Sequence, residues 1–328
     1  MGIQNIKKRI SRYGLFVAGA QWLAAFGIIK EEKLERVMEK HYYSKLTKDD
    51  MYRELTELYN LHGLDDDIRH PTTFTGKINW IKINGDLDTM AKLADKYLVK
   101  KWVQEKIGEK YLIKTLGVWE KVDDIDFESL PDQFVFKANH GCGFIYVVRN
   151  KSKENWKELK KVLQKWLDTS FGWVGLEIHY LRIPRRIIAE EYIAQIDGNL
   201  FDYKVHCFDG EPTLIHVIGD RDIIMHKGME ANYDFDWNRL PWDFCDYIYP
   251  AYTQDLPKPN ILDELYSVSK ELCEGFAYVR VDLYIVGNCV KFGEMTFTPG
   301  CGNYRYQGTW NRKIDKQLGA MIPINTKE

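Results

Sequence analysis

Apolar positions recur at three- and four-residue steps early in the chain and at two-residue steps later, and this change of period divides it. Through residues 31–63 the steps Leu34, Val37, Met38 and then Tyr52, Leu55, Leu58, Tyr59 predict amphipathic helices. Ahead of them, residues 14–29 form a mostly apolar run of about 16 residues behind Lys7, Lys8 and Arg9. The run is shorter than the ~20 residues a bilayer span needs, Gln21 interrupts it, and no small-residue cleavage site follows. It predicts a helix packed on the body or on a partner, with peripheral membrane contact through residues 10–29 as the competing reading. An acidic turn at Asp65-Asp66-Asp67 precedes Pro71, the stretch 71–77 reads as a connector, and a boundary falls near residue 70. Helical spacing returns over 78–83 and 92–107, where Gly108 supplies the stop.

From residue 133 the period shortens. Residues 133–138 and 144–148 predict two strands around the glycine-bearing turn 139–143. Ser152 is the expected cap of a helix whose Trp156, Leu159, Leu163, Trp166 and Leu167 share one face. Strands are expected at 187–193 and 201–208, turning at Asp209-Gly210 into 213–218. Residues 219–257 carry Tyr233, Phe235, Trp237, Trp242, Phe244, Tyr247, Tyr249 and Tyr252 and predict a long irregular loop. Its rings suit either self-packing or stacking on a sugar. A helix over 260–276 leads to a strand at 278–284, a turn at 286–288 and a strand at 289–295. Runs of hairpins between isolated helices indicate an α+β class.

With 328 residues, 45% of them hydrophobic, the chain can bury two or three subdomain cores. Its 46 basic and 48 acidic residues are interspersed and leave a formal charge of -2, so no uniform positive field is present to hold a nucleic acid. The six cysteines are scattered without a C-x-x-C pair, which fits a reducing cytoplasm.

The strongest candidate chemistry is Arg280-x-Asp282, then eleven residues, then Glu294-x-Thr296-x-x-Pro299-Gly300. Alternation along a strand sets Arg280, Asp282 and Tyr284 on one face, and the Gly287-Asn288 turn returns Glu294 beside Asp282. Two carboxylates next to an arginine make a hard-oxygen site suited to Mg2+ and phosphate, or else a solvated sheet face with a surface ion pair. Lys137 ends an apolar strand just before a glycine turn, where it either reaches a phosphate or stays a solvated edge charge. No Walker loop is present. A zinc site from Cys142, His140, His206 and Cys207 fits no ligand spacing.

These motifs fall in the order Pro71-x-x-Phe74-x-x-Lys77-Ile78-x-Trp80, Ala94-Asp95-Lys96, Phe136-Lys137-x-Asn139-His140-Gly141, Glu190-Glu191-Tyr192-Ile193, Asp202-Tyr203-Lys204 and Glu294-x-Thr296-Phe297-x-Pro299-Gly300. In that order the sequence resembles the TupA-like branch of the ATP-grasp superfamily, over residues 71–302. The resemblance implies an α+β fold that holds a nucleotide between two antiparallel-sheet subdomains. Residues 1–70 would form a helical N-terminal region, 71–186 a lid-containing subdomain and 187–328 a subdomain with the metal site. It implies that ATP phosphates are held by Lys96 and Lys137 under a turn from His140 through Gly141 to Gly143. Adenine would meet a hinge of Glu190, Glu191, Tyr192 and Ile193, with Lys204 as a further nucleotide contact. Asp282 and Glu294 would bind Mg2+, with Thr296 where many such ligases carry asparagine. Arg280 would face the acyl phosphate, and His206, on the strand face of Lys204, would face substrate. The implied activity is ADP-forming ligation of a carboxylate and an amine, with a uronic acid of a surface polysaccharide as carboxylate. A glycosyltransferase, a sugar kinase and a non-catalytic binding module are the rivals; the resemblance itself admits the first, whose D-x-D metal motif is matched only by the bare acidic run 65–67.

Overall fold

The computed structural model describes residues 3–61, 66–193, 200–222, 227–244, 249–303 and 311–324. Tertiary contacts divide the chain into two units, residues 1–58 and 59–328.

In the first unit, helix α1 (Ile3–Ala25) is kinked at Gly14, whose φ of 77° suits a residue without a Cβ. It packs against α2 (Glu31–His41), and α3 (Lys48–Leu61) begins within the same unit. Arg12 on α1 donates to Glu54 at 2.6 Å and also to Glu57, while the Tyr42 hydroxyl donates to Glu54. Val17, Ala20, Tyr42 and Leu55 form its buried apolar centre. No helix among the described residues is long and apolar enough to cross a membrane.

The second unit begins before the expected boundary at residue 70, because the segment ahead of Pro71 is tied into it. Ile68 is buried. Asp66 accepts from the backbone N–H groups of Thr72 and Thr73, each at 2.9 Å. The stretch taken as a connector is largely helix: Thr73 caps α4 (Phe74–Asn84) by accepting from the Gly76 N–H. The expected helix over 92–107 is two helices, α5 (Leu87–Ala94) and α6 (Leu98–Ile107). Asp95 breaks them apart by accepting from the N–H groups of Tyr97 and Leu98.

Two antiparallel sheets follow. The first has the order β1 (Thr115–Trp119), β4 (Ile187–Glu191), β2 (Phe134–Ala138), β3 (Ile145–Val148). The register pairs Glu190 with Thr115 on one side and with Val135 on the other. Strand β4 therefore belongs with residues 115–148, not with the later strands among which the 186/187 boundary put it. It is central in its sheet and buried on both faces, so its apolar run carries no alternation to reveal its neighbours. Helix α7 (Trp156–Asp168) covers this sheet with Leu159, Leu163 and Trp166. Its cap is Asn155, while Ser152 lies in a short 3-10 turn and itself donates to Asn150.

The second sheet has the order β7 (Lys227–Tyr233), β6 (Glu211–Asp222), β5 (Asp202–Phe208), β8 (Tyr278–Val286), β9 (Cys289–Thr296). Helix α8 (Leu262–Cys273) packs against it, and α9 (Asn311–Ala320) packs on α4. Along β8, Val279, Val281 and Leu283 are fully buried in the main core, which leaves Arg280 and Asp282 on the opposite face. Strand β7 lies inside the stretch expected to be irregular. Its Glu230 and Asn232 are buried by pairing, with His216 and with the Trp242 carbonyl, so its polar residues hide the strand pattern. The aromatic residues beyond it pack the segment. Trp237 stacks on Tyr233 at 4.3 Å, and Trp242 and Phe244 are buried. Tyr247 lies outside the described residues.

Candidate functional site

Strands β5, β8 and β9 put five polar side chains on one face. The register sets Asp282 opposite Glu294 on one side and Lys204 on the other, with Arg280 opposite Thr296. One extra residue, Gly293, forms a bulge between the pairs Asp282–Glu294 and Leu283–Phe292. A Cβ at Gly293 would lie 3.0 Å from the Asp282 carbonyl oxygen and 2.9 Å from the Tyr284 ring, so the bulge that turns Glu294 toward Asp282 depends on glycine.

The ion pairs are short. Arg280 donates from Nε to Asp282 Oδ1 at 2.6 Å and from Nη2 to Oδ2 at 2.7 Å, and Lys204 Nζ reaches the same Oδ2 at 2.6 Å. Arg280 Nη2 also donates to Thr296 Oγ1 at 3.2 Å, and Thr296 to Glu294 Oε1 at 3.3 Å. Lys96 Nζ lies 3.0 Å from Glu294 Oε2. Burial opposes the charge on Asp282, but Arg280 and Lys204 outweigh it and bring this carboxyl down to about 2. Glu294 is lowered against the same penalty, chiefly by Lys96. Burial works against the Lys204 charge too, yet Asp282 and Asp202 raise it.

A second cluster gathers at Glu190, which is 4% exposed. Lys137 Nζ binds its Oε2 at 2.7 Å and Lys100 Nζ its Oε1 at 2.5 Å. The two lysines hold Glu190 ionised despite its burial. Desolvation lowers Lys100, which Glu190 offsets in part, and its ammonium also donates to the Ile113 carbonyl and Thr115 Oγ1. Lys96 links the clusters: it binds Glu294, donates to the Gly141 carbonyl at 2.9 Å and feels the charge of Glu190. Lys96, between α5 and α6, thus meets the Glu294 carboxylate of the second sheet, whereas Lys100 and Lys137 are held by Glu190 of the first. Lys100 escaped the sequence reading because the spacing of Val99 and Val103 marks α6 only as a packed helix, and Lys101 beside it is exposed.

The remaining expected residues are placed as follows. In the turn after β2, Asn139 is pinned by donating to the Pro184 carbonyl and accepting from the Arg186 N–H. His140 is buried and donates from Nε2 to the Trp166 carbonyl at 3.1 Å; desolvation pushes it down to about 4. The imidazole is therefore neutral and turned into the protein. Gly141 is required by packing, since a Cβ there would stand 2.7 Å from a Phe171 ring carbon, whereas Gly143, at φ +76°, faces open space. Glu191, Tyr192 and Ile193 line a cavity of about 970 Å3 together with Leu98, Lys100 and Val286. His206 is fully buried, bonded through Nδ1 to the Tyr278 hydroxyl at 2.8 Å and stacked on Phe244 at 4.6 Å. Desolvation holds it well below its ordinary value, and it faces no open space. In the acidic run, Asp66 is engaged with Thr72 and Thr73 and Asp67 with Arg69 and His70, while Asp65 lies outside the described residues.

Among the described residues no group of three or more His, Cys, Asp or Glu stands ready to hold a metal. Asp282 and Glu294 offer two ionised carboxylates side by side. That set fits Mg2+, which takes one or two protein carboxylates and fills its other positions with water and phosphate oxygens.

The family model described as TupA-like ATPgrasp matches residues 76–323. No curated protein matches the chain. Among solved structures, D-alanine–D-alanine ligase from Bacillus anthracis complexed with ATP aligns at 15% identity and a TM-score of 0.38, covering 69% of this chain and 62% of that one. The corresponding ligase from Helicobacter pylori aligns at 18% and 0.35, covering 70% and 61%. Phosphoribosylamine–glycine ligase from Thermotoga maritima aligns at 12% and 0.38, covering 66% and 51%. The chain spans less than two thirds of the length of each of these three proteins.

Proposed function

Since the chain belongs to the TupA-like ATP-grasp family, we propose that it is an ATP- and Mg2+-dependent ligase. It activates a carboxylate as an acyl phosphate and passes the acyl group to an amine, with a uronic acid of a surface polysaccharide as the carboxylate. The observation that carries this reading is the in-register pair Asp282 and Glu294, each already held by a cation suited to phosphate.

A carboxylate is a poor acyl donor. In the first step its oxygen attacks the γ-phosphorus of ATP, the bond to the β–γ bridging oxygen breaks, and ADP leaves. Lys96 and Lys137 turn from their carboxylate partners to the phosphates, and the chain at 190–193 takes the adenine edge. Asp282 and Glu294, with Thr296 beside them, would hold Mg2+, which would supply neutralisation of phosphoryl charge. In the second step the amine attacks the acyl carbon, phosphate departs with the bonding pair, and the nitrogen loses a proton. Arg280 steadies the oxyanion of the tetrahedral intermediate, a contribution of about 2.7–4 kcal/mol for a well-aimed donor. An acyl phosphate hydrolyses in water, so the hairpin 137–149 closes as a lid about its open end at Gly143. His206 carries no step in this scheme.

The test is ADP release by the full chain, measured with uronic acids and small amines as paired candidates. Release that requires both substrates supports the ligase. Release that needs no carboxylate overturns it, and a phosphorylated sugar formed without amine assigns a kinase instead.

A further inference from the structure

Helix α1 is built the wrong way round for a helix that serves only its own unit. Its inward positions are Val17, 0% exposed, and Ala20, 7% exposed. Its outward positions are Phe16, 71% exposed, Trp22, 47%, and Phe26, 63%, followed past the turn at Gly27 by Ile28, 62%. At 3.6 residues per turn, Phe16, Gly19, Trp22 and Phe26 fall on successive turns of one stripe, with no charged residue between them. Trp22 and Phe26 touch each other at 4.7 Å and remain open to solvent. Among the described side chains of residues 3–26, both phenylalanines and the tryptophan thus face outward, against the hydrophobic gain that orders ordinary helices. The charge along the same segment is one-sided. Residues 1–30 contain Lys7, Lys8, Arg9, Arg12 and Lys30, and the first acidic residue is Glu31. Of these, Arg12 is committed to Glu54 and Glu57.

We infer that α1 lies flat on an anionic lipid surface, with Phe16, Trp22, Phe26 and Ile28 in the acyl–headgroup boundary and the one-signed charge of residues 1–30 favouring anionic headgroups. An apolar stripe rich in aromatic rings, next to basic residues without acids, matches the chemistry of that boundary. A protein partner would need a complementary acidic rim and would not favour this excess of positive charge. At 23 residues the helix has the length of a span, but among the described residues no helix is also apolar enough to cross a bilayer, and contact in the plane is the geometry inferred. The inference is independent of the nucleotide chemistry.

The test is co-sedimentation of the full chain with vesicles of phosphatidylcholine alone and of phosphatidylcholine mixed with phosphatidylglycerol. The chain sediments with the mixed vesicles, weakly with the neutral ones, and less at high salt. The double variant Phe16→Ser, Phe26→Ser partitions roughly tenfold or more weakly. Far-UV circular dichroism and a thermal melt establish that it is folded. The triple variant Lys7→Gln, Lys8→Gln, Arg9→Gln keeps the stripe and loses the preference for phosphatidylglycerol. Three results overturn the inference: a wild-type chain that stays in the supernatant with mixed vesicles, a folded double variant that sediments as well as wild type, or a wild-type dimer in solution that the double variant dissolves, which assigns the stripe to a second copy.

Discussion

Replacing Asp282 by asparagine keeps the shape of the side chain and removes one buried charge. Asp282 is 2% exposed and takes three short bonds from Arg280 and Lys204. Two routes give the size of the effect. The fall of its carboxyl from 3.8 to about 2 is linked to about 2.5 kcal/mol of stability at neutral pH. Breaking a buried pair by removing one partner costs about 3–5 kcal/mol, because the orphaned cations stay desolvated. A loss of about 2.5–5 kcal/mol at pH 7 lowers the melting temperature by roughly 5–15 °C for a protein of this size. The sign of the pH dependence follows from the depressed value. The carboxylate's contribution is nearly complete above 3.8, the unfolded value, and is lost as pH falls toward 2, so the gap between wild type and variant narrows from about pH 4 to about pH 2. Urea denaturation across that range measures it. A variant within ~1 kcal/mol of wild type at pH 7, an ordinary surface-pair effect, or a gap that does not narrow with acid, refutes the pairing of Asp282 with Arg280 and Lys204.

Lys137→Ala and Glu294→Ala both abolish the thermal stabilisation that an ATP analogue with Mg2+ gives wild type; if either keeps it, the nucleotide is not where we propose. Glu190→Gln leaves Lys100 and Lys137 facing a neutral amide and costs about 3 kcal/mol in urea, and a neutral result would mean the two lysines do not depend on it. His140, His179 and His206 are buried and pushed down by desolvation, to about 4 and about 3 for the first two. They stay neutral in the fold while the unfolded chain protonates near 6.5, so stability falls as pH drops below that value. Between pH 7.5 and 5.5 the three together remove about 4 kcal/mol, which denaturation at the two pH values reads directly. Gly141→Ala forces a Cβ against Phe171 and costs about 1–3 kcal/mol, whereas Gly143→Ala meets no neighbour and costs only the ~1–2 kcal/mol of a left-handed residue.

The late hairpin was legible because alternation and a glycine turn are local signals: Val279, Val281 and Leu283 went to the core, and Asp282 met Glu294 in register. The bulge at Gly293 was not, since it adds one residue without changing the pattern around it. Strand β4 was recognised as a strand, but its neighbours were hidden, because a strand buried on both faces has no alternation to read. Strand β7 was missed altogether, its polar residues being satisfied by partners distant in sequence. The same limit applies to the site. Lys137 and Glu190 were each marked by a motif, but their pairing, and the part of Lys100 in it, depends on β2, β4 and α6 meeting in space. His206 followed the strand face of Lys204 correctly; what covers that face farther along is Phe244, which arrives from a segment the sequence showed only as aromatic.

The pairing of charges within the site has a kinetic consequence. Lys96, Lys100, Lys137, Lys204 and Arg280 stand against Glu190, Asp202, Asp282 and Glu294, so five cations and four anions leave one net positive charge. Such a mouth casts almost no long-range attraction over an approaching polyanion, and steering by field contributes little to its capture. On the proposed function, association then proceeds at the pace of unassisted diffusion and changes little with ionic strength, while selectivity arises after arrival, as Lys96 and Lys137 trade a carboxylate for a phosphate.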